Sequence, residues 1–147
     1  MTTTVLGAVA LAGSGLTAGV LLAVAVSLVP VFLSLPPRSY VEAHKVAGRY
    51  FDRFMPPTVL LTVVVEVTLA VRTGHLLYAA AAAAMLGVSV VSQFGNVPVN
   101  RVVKALPAGE VPAGWADPRR RWQRLHLYRT GFAAMALLLT IAAPVSL

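Results

Sequence analysis

The chain has 147 residues, of which 58% are hydrophobic and only 12% are charged. Soluble domains carry about 25% charged residues, so this composition excludes an ordinary water-soluble protein and predicts one integral membrane domain. The absence of cysteine excludes disulfides, thiolate nucleophiles and cysteine-bound metal centres. The net charge of +7 comes from basic residues confined between apolar runs, which predicts contact with anionic lipid headgroups and not with nucleic acid.

Four apolar segments are predicted to cross the bilayer as helices, since crossing needs about 20 helical residues. They lie at about residues 5–35, 56–71, 75–96 and 122–142. In the first, Gly15 and Gly19 permit close helix contact, either inside the bundle or in a homo-oligomer. Pro56 and Pro57 suit the first turn of the second helix, where their missing N–H groups would be unpaired anyway. Residues 101–121 are rich in proline and glycine and are predicted to be a loop.

Residues 38–55 are predicted to form an amphipathic helix between the first two membrane helices. Its apolar face carries residues spaced by four, three, four and three positions: Tyr40, His44, Ala47, Phe51 and Phe54. Charged residues occupy the opposite face, so we expect this helix either to lie in the cytoplasmic interface or to continue the first helix beyond the bilayer, and Pro36-Pro37 favours a break before it. On the apolar face, His44 can point into the end of the bundle.

The basic residues predict the orientation. Four lie between the first and second helices, one (Arg72) between the second and third, and seven between the third helix and the start of the fourth. Because helices cross in alternation, the two rich segments share one side, and the positive-inside rule assigns that side to the cytoplasm. The sequence therefore predicts an all-α, four-helix multi-pass protein of the cell (inner) membrane, with both termini external.

A carboxylate, Glu66, lies ten residues into the second predicted helix. At ~1.5 Å per residue, that is ~15 Å below the interface, where an ionisable group is costly and has a functional or paired role by default. One interpretation is a catalytic carboxylate. The other is a neutral side chain hydrogen-bonded to Thr62 or to another helix.

Polar residues trace one face of the third helix at steps of four, three and four: Ser89, Gln93, Asn96 and Asn100. Within Asn96-Val-Pro-Val-Asn100, the proline frees a backbone carbonyl one turn earlier. The two amides can satisfy that carbonyl or bind a ligand. A capped helix end and a ligand site are both consistent with the pattern.

The fourth helix places Trp122, His126 and Arg129 on one face, four and three residues apart. His126 is a candidate general base, proton carrier or axial ligand, and Arg129 a candidate partner for a carboxylate, phenolate or cofactor propionate. An interfacial tryptophan belt with a snorkelling arginine is the alternative. His44 and His126 are the candidate ligands if a haem or metal ion is bound.

Four segments together resemble the anthrone oxygenase-like family of small four-helix membrane proteins. They are Gly15-Leu-Thr-Ala-Gly19, Arg53-Phe-Met-Pro-Pro57, Asn96-Val-Pro-Val-Asn100 and Trp122-Gln-Arg-Leu-His-Leu-Tyr-Arg129. The most specific are the Asn-x-Pro-x-Asn and Trp-x-x-x-His-x-x-Arg elements, which match recurring polar positions of the family at Asn96, Asn100, Trp122, His126 and Arg129.

The resemblance implies a membrane-bound oxygenase of secondary metabolism that uses O₂ to oxidise the activated methylene of an anthrone-like aromatic substrate. In the expected mechanism, His126 removes a proton, and Arg129 with the asparagines stabilises the oxyanion. The cofactor stays open between none, with O₂ alone, and a haem or metal bound by histidine. The competing class is a non-enzymatic membrane module, either a small transporter protomer or a subunit that organises a partner.

Overall fold

The computed structural model describes residues 2–107 and 110–146, with the side chains of residues 145 and 146 left out. Within these residues all regular structure is helical. The elements in chain order are α1 (Thr3–Ala23), a π-helical turn π1 (Val24–Leu28), α2 (Val29–Ser34), α3 (Pro37–Thr73), α4 (Leu76–Val91), a second π-helical turn π2 (Ser92–Asn96), α5 (Val97–Ala105), α6 (Arg119–Ala142) and a 3₁₀ turn (Ala143–Ser146).

Four helical runs of the described residues are long and apolar enough to cross a membrane. These runs, named the first to fourth spans here, are Thr3–Ser34, Pro37–Thr73, Leu76–Ala105 and Arg119–Ala142. Large apolar side chains cover the outside of the bundle: Val26 is 67% exposed, Val64 61% and Leu138 66%. Such a surface is suited to hydrocarbon and not to water. The predicted all-α, four-span membrane protein is confirmed.

Each span packs against two neighbours. The first and third spans both contact the second and the fourth, so the four helices form a square in section. The interior has three layers of buried side chains along the bundle axis. Representative residues are Leu6, Leu69 and Tyr78 at one end, Leu21, Met85 and Ala133 in the middle, and Phe32, Val103 and Trp122 at the other end.

The second span differs from the prediction of two separate helices. One helix, α3, runs unbroken from Pro37 to Thr73, with Pro56 and Pro57 in its interior. The prolines remove two adjacent backbone donors, which normally interrupts a helix. Here the helix is packed on both sides of them, through residues such as His44 before and Val63 after, so tertiary contacts hold the helical course. The predicted location of residues 38–55 at a membrane interface stays a prediction.

The third span also extends beyond its predicted end at residue 96. It continues through π2 and α5 to Ala105, because Val99 and Val103 bury their side chains in the core. The connection to α6 is therefore shorter than the predicted loop at residues 101–121. Arg119 anchors its far end by donating to the Asp117 carboxylate and, through Nη1, to the Phe32 carbonyl oxygen at 2.9 Å. The Arg119 guanidinium also holds the pKa of Asp117 below its usual value.

The closest approach of a glycine in the first span to another helix occurs at Gly13, not at the predicted pair. A Cβ atom at Gly13 would lie 2.1 Å from Thr62 Oγ1, whereas Gly15 has only an ordinary contact and Gly19 has open space. The Thr62 hydroxyl donates to the Thr58 carbonyl at 2.8 Å, which holds the side chain in this position. The first and second spans therefore need glycine at position 13.

We expect Gly13→Ala to destabilise the bundle by about 1–3 kcal/mol, because the added methyl group overpacks a contact with a β-branched, hydrogen-bonded side chain. Gly19→Ala, on the same helix with no atom near the added methyl, is the matched control and should leave the melting temperature unchanged or slightly raised. Thermal unfolding in detergent measures both. Equal melting temperatures for the two variants would contradict the assigned contact.

Candidate functional site

Two helical turns, π1 and π2, are wider than an α-helical turn, and both lie toward the same end of the bundle. In π1 the Val29 N–H bonds to the Val24 carbonyl five residues earlier, and in π2 the Val97 N–H bonds to the Ser92 carbonyl in the same way. Each turn is followed by Val-Pro-Val, at Pro30 and Pro98. A proline in a helix removes a hydrogen bond and clashes with the preceding turn, and a π turn accommodates both effects.

A cavity of about 220 Å³ lies between all four spans beside these two turns. Residues of both turns line it, including Val24, Leu28, Ser92 and Asn96. The remaining wall is mostly aliphatic and aromatic. The polar side chains that the wall contains are His44, Asp52, Ser89, Ser92, Gln93, Asn96, Asn100 and Arg129, with the indole of Trp122. The polar residues predicted on the third span are thus brought together with His44, Trp122 and Arg129.

Asn100 joins three spans through its side-chain oxygen. The Trp122 indole N–H donates to Asn100 Oδ1 at 3.0 Å, and His44 Nε2 lies 3.1 Å from the same oxygen. Because an indole N–H is only a donor, the atom it meets must be the amide oxygen, so His44 must donate from Nε2. The lone pair of His44 is then on Nδ1, which is buried and has no hydrogen-bond partner among the described residues.

His126 is the opposite case, because both of its ring nitrogens have partners. Nε2 lies 2.9 Å from the Leu21 carbonyl oxygen, which only accepts, so Nε2 carries the proton. Nδ1 accepts from Arg129, at 3.1 Å from Nε and 2.8 Å from Nη2. The ring is fully buried and stacks on the Trp122 indole at 5.2 Å and 10°. His126 does not line the cavity; it holds Arg129, which does.

Arg129 brings a positive charge to the cavity wall. Its guanidinium carbon lies 6.0 Å from the Trp122 ring centroid, a cation–π distance. Among the described residues, the ion pairs are Arg38 with Glu42, Lys104 with Asp52 and Arg119 with Asp117, so Arg129 has no carboxylate partner. A partly buried guanidinium that is bonded only to a neutral imidazole is suited to receive an anion.

Aromatic rings surround the polar groups. Phe32 lies 5.9 Å from Trp122 and 5.6 Å from His44, measured between ring centroids, and His44 lies 5.5 Å from Trp122. These edge and tilted contacts hold the rings in place and leave flat apolar surfaces beside the cavity. Asn96 lies beneath them, donating from Nδ2 to the Trp122 carbonyl at 3.3 Å, while its Oδ1 is buried without a partner among the described residues.

Glu66 lies outside the cavity, in a separate polar cluster. Its Oε1 accepts from Ser14 Oγ at 2.7 Å and from Thr140 Oγ1 at 3.0 Å, which ties the second span to the first and the fourth. The side chain is fully buried, and Oε2 has no hydrogen-bond partner among the described residues. Thr62, considered as a partner from the sequence, donates to Thr58 instead. The arrangement fits a carboxyl group that joins helices.

Several cavity residues were not predicted from the sequence. Phe32 lies in an apolar run without a polar motif, and Asp52 lies on the charged face of the predicted amphipathic helix. One signal was present: Val-Pro-Val occurs twice, at residues 29–31 and 97–99, and each copy is followed along the chain by an aromatic residue four positions before a histidine. Those pairs are Tyr40 with His44 and Trp122 with His126, and the structure gathers these four rings into one cluster with Phe32.

The fold and the cavity together define a class: a small multi-pass membrane protein with an aromatic-walled cavity and one guanidinium in its wall. Residues 45–139 match the family model described as anthrone oxygenase, which is most of the chain. The chain therefore belongs to the anthrone oxygenase family, and this membership indicates an oxygenase-type role. The matched segment includes Asn96, Asn100, Trp122, His126 and Arg129. No curated protein and no solved structure matches the chain.

We expect Glu66→Ala to lower the free energy of unfolding by about 1–3 kcal/mol, because Ser14 loses a buried acceptor and Thr140 keeps only the carbonyl oxygen of Ala136. Glu66→Gln retains an acceptor oxygen and should keep most of the stability. The control is Glu42→Ala, which removes an exposed carboxylate from the same helix. Thermal unfolding and O₂-dependent turnover are measured on the same samples. A Glu66→Gln protein that is stable but has no turnover would show that the carboxylate has a chemical role.

Proposed function

We propose that the protein is a membrane-bound oxygenase that converts the activated methylene of an anthrone-like aromatic substrate to a ketone with O₂, in the cavity lined by His44, Asn100, Trp122 and Arg129. The observation that carries the proposal is Arg129: a guanidinium in the wall of an apolar cavity, bonded to a neutral imidazole and without a carboxylate partner among the described residues. Family membership supports the reaction class.

An anthrone-like substrate supplies the missing anion during the reaction. Loss of a proton from its methylene moves negative charge to the carbonyl oxygen, since the resulting enolate is aromatic. A guanidinium stabilises such an oxyanion most effectively where water is excluded, because the local dielectric is low and the donors are already oriented. Arg129, held by His126, is the group in the cavity that meets these conditions.

His44 is the better candidate for the base that removes this proton. A general base needs a free lone pair, and His44 Nδ1 has no partner among the described residues, whereas the lone pair of His126 Nδ1 accepts from Arg129. The hydrogen bond from His44 Nε2 to Asn100 fixes the tautomer that leaves Nδ1 basic. His126 is then a positioning residue, in place of the base expected from the sequence.

The proposed reaction balances without another co-reactant. The enolate gives one electron to O₂, and the carbon radical and superoxide combine to a C–O bond, forming a peroxide that takes back the first proton. Removal of the second C–H proton breaks the O–O bond, so one oxygen atom stays as the new ketone and the other leaves as water. The carbon is oxidised and O₂ is reduced. O₂ itself is apolar and partitions into the bundle.

The cavity does not fit a haem. The cavity measures about 220 Å³, which suits a compact three-ring molecule. A haem, with its much larger macrocycle, needs a pocket in the range of roughly 300–1,000 Å³ that holds drug-sized ligands. Both nitrogens of His126 are occupied, which removes one of the two predicted axial ligands. No cluster of three or more metal-binding side chains occurs among the described residues. We therefore derive the reaction from the side chains and O₂ alone.

The site belongs, in this proposal, to the cytoplasmic half of the bundle in the cell (inner) membrane. The basic segments around Arg49 and Arg120 lie at the cavity end of the helices, and the positive-inside rule assigns that end to the cytoplasm. Both termini are then external.

The test compares histidine variants with 1,8-dihydroxyanthrone as substrate, following O₂ uptake and anthraquinone absorbance. His44→Gln should keep the hydrogen bond to Asn100 but lose the base, lowering kcat by about 10²–10⁴-fold with little change in KM. His126→Gln still offers Arg129 an acceptor, so its kcat should fall much less than that of His44→Gln. His75→Gln, at the opposite end of the bundle, is the control.

Full turnover in His44→Gln, with turnover lost in a folded His126→Gln protein, would show that His126 is the base. A wild-type protein that binds anthrones without consuming O₂ would support the non-enzymatic module instead.

We expect the purified, active protein to show no Soret band, because the cavity is too small for a haem and His126 has no free nitrogen. The measurement is a visible absorption spectrum with a pyridine haemochrome assay on the same sample. A stoichiometric Soret band that disappears in His44→Gln would contradict the cofactor-free mechanism.

A further inference from the structure

One side of the cavity wall is open to the outside of the bundle. On α3, the lining residues Asp52, Pro56 and Leu60 follow one another at steps of four and are all exposed, and Leu60 is 57% exposed. Facing them, the lining residue Gln93 of π2 is exposed as well. A residue that both lines a cavity and faces the outside lies at the rim of an opening. The opening is therefore the seam between α3 and π2.

The surface around this opening is apolar. Beside Leu60 on α3, Leu61 is 59% and Val64 61% exposed, and beside Gln93, Val90 is 54% and Phe94 80% exposed. All four belong to runs apolar enough to cross a membrane. Hydrocarbon chains and not water are the solvent suited to this surface.

The seam is closed toward its polar end. Lys104 of α5 forms an ion pair with Asp52 of α3, and Lys45 donates to the Leu106 carbonyl oxygen. Gly48 lets the Lys104 side chain lie across α3, since a Cβ atom there would be 3.2 Å from Lys104 Cε. These contacts cross the seam between α3 and the end of α5.

The end of the bundle beyond them is also covered. Trp115 of the connecting segment packs on Tyr40 at 6.3 Å between ring centroids, and Arg119 lies over the same Tyr40 ring at 5.1 Å. Arg119 further bonds to the carbonyl oxygens of Phe32 and Leu35, which fastens the start of α6 to the end of the first span. A solute from the aqueous side would have to displace this layer.

We propose that the seam between α3 and π2 is a lateral portal, through which a polycyclic aromatic substrate dissolved in the bilayer reaches the cavity. The Asp52–Lys104 pair lies at the headgroup end of the portal. There the two charged side chains can contact the polar hydroxyl groups of the substrate. The substrate class rests on the proposed function, and the portal itself rests on the exposed lining residues. The substrate must then be supplied by a reaction that releases an apolar, poorly water-soluble phenolic product into the membrane.

The absence of cysteine in the chain permits a direct test. Leu60→Cys and Gln93→Cys place single thiols on the two rims, and the matched controls Leu61→Cys and Val90→Cys place them on neighbouring exposed positions that do not line the cavity. Each protein is reconstituted in vesicles and modified with either bulky N-cyclohexylmaleimide or small methyl methanethiosulfonate. The probe is 1,8-dihydroxyanthraquinone, which the enzyme does not consume, and quenching of tryptophan fluorescence reports its binding by stopped flow.

The bulky label at either rim should slow probe association and dissociation together by about tenfold or more, leaving Kd nearly unchanged, because it obstructs the path and not the site. The small label, and both labels at the control positions, should leave the rates within about twofold. Unchanged rates with the bulky label at both rims would overturn the portal.

The same vesicles separate the portal from the proposed function. Probe binding that is slowed by rim labels, in a protein that never oxidises an anthrone, would support the portal and overturn the oxygenase reaction. Turnover of 1,8-dihydroxyanthrone that is insensitive to both rim labels would support the oxygenase reaction and overturn the portal. A wild-type protein that does not bind the probe at all would overturn both.

Discussion

Two prolines inside membrane-spanning helices are the constraint on which the cavity depends. Pro30 and Pro98 each withhold a backbone donor where no water can replace it, and the helix responds by widening the turn before the proline. A widened turn displaces the following residues from the regular helical path. Both turns lie at the same end of the bundle and both line the cavity, so the requirement to satisfy backbone groups in hydrocarbon also creates the space in which a ligand can be held.

The two histidines of the site show how hydrogen-bond partners, and not residue type, decide a chemical role. Asn100 and the Leu21 carbonyl impose the same tautomer on His44 and His126, since each accepts a proton from Nε2. What differs is the second nitrogen: Arg129 occupies it in His126, and the described residues leave it without a partner in His44. One imidazole therefore holds a guanidinium in place, and the other retains an unshared lone pair on Nδ1.

Charged groups and apolar surface occupy different parts of the bundle around the cavity. Apolar side chains surround the opening between α3 and π2, while the Asp52–Lys104 pair and the Arg119 contacts close the polar end. The guanidinium of Arg129 lies in the cavity wall and is not a member of these ion pairs. The proposed substrate, with an apolar ring system and a potential oxyanion, matches both parts of this arrangement, and family membership indicates an oxygenase-type role.

Sequence reasoning predicted most of the fold because membrane helices follow from length and hydropathy, which are local properties. It predicted four spans, and the polar stripe at Asn96 and Asn100 with the cluster at Trp122 and Arg129, since helical spacing alone places such residues on one face. It failed at Pro56 and Pro57, where α3 continues, and at the end of the third span. In both places, packing between helices overrides local preference.

What the sequence by itself determined is the set of apolar spans, their polar faces and the family to which the chain belongs. What only the tertiary structure decided is which of those faces meet. Glu66 is separated from the cavity, Gly13 and not Gly15 receives a neighbouring helix, and His126 is bonded to Arg129 while His44 is joined to Asn100. The physical reason is that periodicity fixes directions within one helix, whereas the partner of a buried donor or acceptor depends on the depth and rotation of another helix.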